Sequence, residues 1–204
     1  YMLPVYRGNP EKKQVAFIVN VAWGGEFITE MLDVFKQYGV KTTFFIVGRW
    51  ADKNSELVKE IFGKGHDIGS HGYDDSIVLK GIKETEIIDD LSLCSKTLEE
   101  IIDDEITLFT PHKGEYDKLT LQVCSELNLR MIMWTLDTAD WMKPGVENML
   151  SRTVDKVFNG AIILMHPTEE TILYLKEALP LLIDDNYDIV PISELLNPDW
   201  LKVD

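Results

Sequence analysis

The sequence predicts an α/β fold of parallel strands joined by helical crossovers, and three observations carry that expectation. Short β-branched and aromatic runs recur along the chain, amphipathic helical patterns lie between them, and glycines stand where those helices should end. The run VAFIV (15–19) opens the series. Residues 26–38 follow, with Phe27, Met31, Val34, Phe35 and Tyr38 at helical spacing and Gly39 as the stop. TTFFIV (42–47) is the second strand, 55–63 the second helix with Gly65 after it, and HDIGS (66–70) the third strand. The pattern continues with helix 83–102, strand ITLF (106–109), helix 117–127, strand RMIMW (130–134) and helix 145–158. Gly160, strand AIILM (161–165), helix 171–183 and strand YDIV (187–190) complete it. Seven strands alternate with six helices, and the strands are near-continuously apolar, as in a sheet covered on both faces. Either an open doubly wound sheet or a barrel of seven or eight strands fits.

Composition bounds the rest. With 204 residues and 45% hydrophobic content, the chain can bury a sizeable core, and no linker or repeat divides it. One domain over 1–204, with its core at about 15–196, is expected. The net charge of −15 repels a phosphate backbone or an anionic membrane surface, so nucleic acid is excluded as a partner. No apolar stretch is long enough to span a bilayer. The chain begins with Tyr, so it is expected to be trimmed from something longer, and a leader or anchor is not excluded. Cys94 and Cys124, the only cysteines, sit among apolar neighbours and are expected as buried free thiols.

Polar residues gather where strands end. Asn20 follows the first strand, and His71 and Asp75 follow the third. Thr110, Pro111 and His112 follow the fourth, Asp137, Asp140 and Trp141 the fifth, and His166 the sixth. Three of the four histidines therefore stand just past strand C-termini. In a βα barrel those ends converge on one mouth, where chemistry is built, so the clustering favours the barrel. His66 lies ahead of the third strand and is expected to cap backbone groups. Trp23 and Trp141 are expected to line a groove, and Trp134, at the end of an apolar strand, to pack in the core.

The pieces TFFIVGRWADKNSELVKEI, GHDIGSHGYDD, DTADWMKPG, GAIILMHP and IVPISELL resemble, in order and spacing, the polysaccharide deacetylases with the NodB homology domain (carbohydrate esterase family 4). VAWG, GRWA and GSHGY resemble the branch linked to spore formation in Gram-positive bacteria. The resemblance covers about Val15 to Leu196. It implies a distorted seven-to-eight-stranded βα barrel and removal of acetyl groups from glycans such as peptidoglycan, chitooligosaccharide or xylan. It also implies a divalent metal such as zinc, and an extracytoplasmic, spore or cell-envelope location.

Carried over residue by residue, the resemblance splits the site. The family's adjacent Asp-Asp, general base and metal ligand, falls on Asn20 and Val21. An amide takes up no proton near neutral pH, and a valine offers no ligand atom. The second metal His falls on Asp75, beside the retained His71, and the motif Arg falls on Thr110, before Pro111. The leaving-group half matches: Asp137 to Trp141 keeps Asp-x-x-Asp-Trp, and Leu164-Met165-His166 keeps Leu-x-His. Asp140 is then the partner of the acid His166, and Asp137, Pro111, Leu164, Trp23 and Trp141 line the substrate groove. His71 and Asp75 alone make a weak zinc site, since three or four protein ligands are usual. His112 or the Asn20 amide oxygen is the candidate to complete it. Three readings follow. In the first, a degenerate deacetylase acts as a glycan-binding module. In the second, an active hydrolase has rebuilt its site. In the third, a protein–protein scaffold keeps a vestigial pocket.

Overall fold

The computed structural model describes residues 2–196, so residue 1 and residues 197–204 of the expected domain lie outside the described part. The elements run β1 (Gln14–Val21), α1 (Gly25–Gln37), β2 (Thr43–Ile46), α2 (Gly48–Lys53), α3 (Ser55–Gly63), β3 (Asp67–Ser70), α4 (Glu84–Ile102) and β4 (Leu108–Phe109). Then come α5 (Lys118–Glu126), β5 (Arg130–Met131), β6 (Leu136–Asp137), α6 (Val146–Arg152), β7 (Ala161–Met165), α7 (Glu169–Asp184), β8 (Asp188–Ile189) and α8 (Ile192–Leu195).

All the ladders are parallel, in the spatial order β5-β4-β3-β2-β1-β7-β6, with β8 beside the start of β1. The sheet curls into a half-barrel with helices outside, the distorted βα barrel that the clustered strand ends favoured. β1 is its axis: all but its first residue are buried, and it pairs with β2, β7 and β8. Alternate β1 residues divide between two cores. Val15, Phe17, Val19 and Val21 pack toward the helices, while Ala16 and Ile18 join Phe45, Ile132, Ile162 and Leu164 inside the curl. A run apolar on both faces is what such a strand requires.

Three differences from expectation have local causes. Leu136 and Asp137 form a strand of their own against β7, where the sequence reading placed no strand after residue 134; two residues are too few to show a period. The helix expected over 145–158 stops at Arg152, because Thr153 leaves helical backbone (φ −124°, ψ −76°) and turns its hydroxyl to the Met149 carbonyl at 2.8 Å. Helices α2 and α8 are only six and four residues long and carry no readable periodicity. Both cysteines are free and buried. His66 does cap backbone: its Nδ1 accepts from the Thr42 N–H at 3.0 Å. Burial, with Lys41 and Lys64 adding to it, lowers the His66 pKa from 6.5 to about 4.

Candidate functional site

The C-terminal ends of β1, β3, β4, β6 and β7 meet at one mouth. Two connected hollows open there. The smaller, about 230 Å³, is lined by Asn20, His71, Asp75, His112, Lys113 and His166, with Ala22 and Trp23. The larger, about 560 Å³, shares Asn20, Trp23, His71, Lys113 and His166 and adds Trp134, Asp137, Trp141 and Leu164. Most of the residues singled out in the sequence are thus brought together. Pro111 is buried and belongs to neither wall.

One wall is built by the loop after β6 and the turn after β7. The Asp137 carboxylate accepts from the Ala139 N–H at 2.8 Å, and Ala139 takes a left-handed backbone (φ 53°). Thr138 donates its hydroxyl to the Leu164 carbonyl at 3.0 Å, which ties the loop to β7. The result turns Asp140 inward, fully buried, and Trp141 outward, 61% exposed. Asp140 Oδ1 accepts from His166 Nδ1 at 2.8 Å, and its Oδ2 accepts from the His166 backbone N–H at 2.5 Å and the Thr171 hydroxyl at 2.8 Å. The carboxylate only accepts, so the His166 tautomer is set: Nδ1 carries hydrogen and Nε2 is left to the cavity. Trp23 stacks on that imidazole, with ring centroids 5.7 Å apart and planes 10° from parallel. Gly24 next to it has φ 79°, and a Cβ there would strike the Pro167 carbonyl oxygen, so only glycine lets this turn pass under the β7–α7 turn.

The other wall is built by β1, β3 and the loop after β4. His71 is 6% exposed and donates Nδ1–H to the Thr110 carbonyl at 2.7 Å, leaving its Nε2 lone pair unengaged. Burial drives its pKa well below the usual histidine range. His112 and His166 push the same way, and the Thr110 carbonyl opposes them. The ring of His112 lies 4.1 Å from that of His71, centroid to centroid. His112 is half-buried, and burial lowers its pKa against the pull of Asp75 and Asp74. Gly72 (φ 76°) makes room for it, since a Cβ there would sit 3.3 Å from His112 Nε2 and 3.0 Å from Asp90 Oδ2. On this wall three buried polar atoms lack a hydrogen-bond partner: Asn20 Oδ1, Thr110 Oγ1 and His112 Nε2. Val21, the next residue after Asn20, points into the helix-side core.

Among the described residues no group of three or more His, Cys, Asp and Glu side chains is placed to hold an ion, so His71, Asp75 and His112 do not form a ligand set. Asp75 lies in the exposed turn after β3, on the rim of the smaller hollow that His71 and His112 also line. What the mouth offers chemically is a carboxylate-oriented imidazole, two weakly basic imidazoles of which one is buried and one half-buried, an amide oxygen and exposed indoles.

Sequence reading missed two contributors. Trp134, assigned to the core, packs against both cores and also lines the larger hollow. Thr171 completes the Asp140 cage from the first turn of α7; the only signal was the Thr168-x-x-Thr171 pair, in which Thr168 caps the Thr171 N–H at 3.0 Å.

A curled parallel sheet with its strand ends gathered at one mouth is a distorted βα barrel, and the comparisons agree. The family model for polysaccharide deacetylase matches residues 7–132, and the chain belongs to that family. The Bacillus subtilis protein YlxY, which is uncharacterized, is 36% identical over 194 residues, which are 95% of this chain and 60% of that protein. This chain therefore spans less than two thirds of that relative's length. A peptidoglycan-N-acetylglucosamine deacetylase of Bacillus cereus is 28% identical over 176 residues, 83% of this chain and 82% of its own. Among solved structures, a CE4 family pseudoenzyme from Bacillus anthracis superposes with a TM-score of 0.93 at 34% identity, covering 96% of this chain and 69% of that one. A mutant of that pseudoenzyme with restored enzymatic activity superposes equally well. No described helix is long and apolar enough to cross a membrane.

Proposed function

We propose that this chain is a deacetylase-fold glycan-binding module that has kept the leaving-group half of its site and lost the hydrolytic half. One observation carries the reading: the residue on the β1 end of the mouth, Asn20, is a buried amide whose oxygen has no partner. Where the family resemblance places a general base, this oxygen accepts hydrogen bonds and takes up no proton. Val21 supplies no ligand atom, and Thr110 supplies no cation. Each loss alone lowers the rate; an acetamide is so unreactive that losing base and electrophile together leaves little turnover. Four separate departures at positions 20, 21, 75 and 110 are better explained by a natural chain that binds than by one altered residue. Trp23, Trp134 and Trp141 provide flat apolar faces of the kind sugar rings stack on. The names of the relatives make peptidoglycan, built on N-acetylglucosamine, the expected ligand, and with it a cell-envelope location.

The test is acetate release from chitooligosaccharides and peptidoglycan fragments, with excess Zn²⁺ or Co²⁺, beside a His166→Ala control. No release above the control is expected. Release that depends on His166 overturns the reading and favours a rebuilt active site.

A further inference from the structure

Residues 2–8 precede the stretch expected as the core, yet they are built into the barrel. The chain from β5 to β6 changes partner along its length. Ile132 donates its backbone N–H to the Phe109 carbonyl of β4 at 2.7 Å, and Thr135 donates its own to the Ile162 carbonyl of β7 at 3.0 Å. Between those two attachments Val5 stands in for a strand, as a parallel bridge to Ile132. Its N–H donates to the Met131 carbonyl at 2.9 Å, and its carbonyl accepts from the Met133 N–H at 2.7 Å. Its side chain is buried in the inner core. The segment is held again at Gly8, which donates its N–H to the Gly160 carbonyl at 2.8 Å.

This segment reaches the mouth at two points. Trp134, next after Met133, lines the larger hollow. The loop after β4 lies against that indole, since a Cβ on Gly114 would come within 2.9 Å of Trp134 Cη2. His112 and Lys113, just before Gly114, line the hollows. Just beyond it, the Tyr116 hydroxyl meets that of Tyr6 at 2.7 Å. Val5 and Tyr6 thus brace the two sides of one contact, Gly114 on Trp134, and neither lines a hollow of the mouth. Core packing accounts for Val5. It does not account for the Tyr6–Tyr116 pair, which is exposed and spans 110 residues of sequence; such a bond adds little stability by itself. Lys113 holds a left-handed backbone (φ 56°), which persists only where its surroundings fix it. We infer that Val5 and Tyr6 are positioning residues of the mouth: through Met131–Met133 and Tyr116 they set where the His112–Lys113 loop stands against Trp134. Order in residues 2–8 and binding at the mouth are then coupled, each favouring the other. The inference concerns the wall itself and goes beyond the glycan-binding reading.

The experiment is NMR of the isotope-labelled full chain, read at the Trp134 indole N–H and the His112 ring nitrogens, which Trp134→Phe and His112→Gln assign. Tyr6→Phe removes the hydroxyl pair, and Val5→Pro removes the N–H given to Met131. Arg7→Ala is the control: it takes away the same segment's contact with the Phe158 ring, 5.4 Å from the guanidinium carbon, and leaves the two braces in place. Both signals are expected to move in Tyr6→Phe and Val5→Pro and to stay in Arg7→Ala. Calorimetric affinity for a pentamer of N-acetylglucosamine is expected to fall roughly two- to fivefold in Tyr6→Phe, the effect of about one exposed hydrogen bond. Unmoved signals in Tyr6→Phe overturn the inference, even where the urea midpoint drops, and they do so whether or not Val5→Pro folds. Equal movement in Arg7→Ala shows a general loosening and overturns it. Unchanged affinity in Tyr6→Phe, where the unaltered chain binds, overturns it as well. Failure of the unaltered chain to bind the pentamer overturns the glycan-binding reading instead, and the NMR comparison then decides this inference alone.

Discussion

On the β6–β7 wall of the mouth, Asp140 accepts three hydrogen bonds and every donor it faces is used. On the β1–β3–β4 wall, three buried polar atoms have no partner. The same fold holds both at similar depth, so burial does not separate them; completeness does. A satisfied polar cage stabilises the fold whatever its chemistry achieves, and is retained for that reason alone. Orphaned atoms do not. The contrast teaches that the His166–Asp140 couple is weak evidence for turnover, because its structural worth alone keeps it.

The largest effect that sharpens this contrast is a gain. Rebuilding the poorer wall with Asn20→Asp, Val21→Asp, Asp75→His and Thr110→Arg supplies the base, the ligands and the cation that the family resemblance places there. Zinc-dependent acetate release is expected to rise by about 10²-fold or more over the unaltered chain, and a coupled acetate assay reads it. No gain in a variant that binds zinc would mean that something besides these four positions silences the site.

Next come the two walls compared by deletion. Asp140→Ala strands buried donors on His166 and Thr171 and is expected to cost about 3 kcal/mol or more in urea unfolding. Asn20→Ala removes an oxygen that has no partner and is expected to cost less than about 1 kcal/mol. Equal losses would erase the distinction between the walls.

A smaller and more graded effect separates the capping imidazole from those of the mouth. His66 is held near 4 in the folded chain against 6.5 for the free side chain. Above pH 6.5 it is neutral in both states and contributes no pH dependence. As the pH falls from there, the unfolded chain takes up a proton first, so stability declines until about pH 4, by at most about 3 kcal/mol. Unfolding midpoints measured from about pH 7 to about pH 4 are expected to fall less steeply in His66→Gln. Parallel slopes in the two proteins would assign the acid loss elsewhere.

Much of the fold was legible because parallel strands covered on both faces write continuous apolar runs, as β1, β2 and β7 do. The short strand at Leu136–Asp137 was not, because two residues carry no period and its pairing with β7 is set by tertiary register. In the site, His71, Asp140 and His166 were legible because each follows a strand directly. The packing of His112 against His71 was not, because nothing local reveals that Gly72 clears a path for its ring.

The central place of β1 also bears on how the molecule comes to exist. Its early strand takes lasting partners from residues 43–46, 161–165 and 188–189. Asn20 and His166 therefore cannot face one another until most of the described chain has left the ribosome. Until then one long edge of β1, apolar throughout, waits uncovered. Pairing across such sequence separations closes large loops and is slow. The nascent protein is thus expected to be most prone to aggregation late in synthesis, between emergence of β2 and arrival of β7.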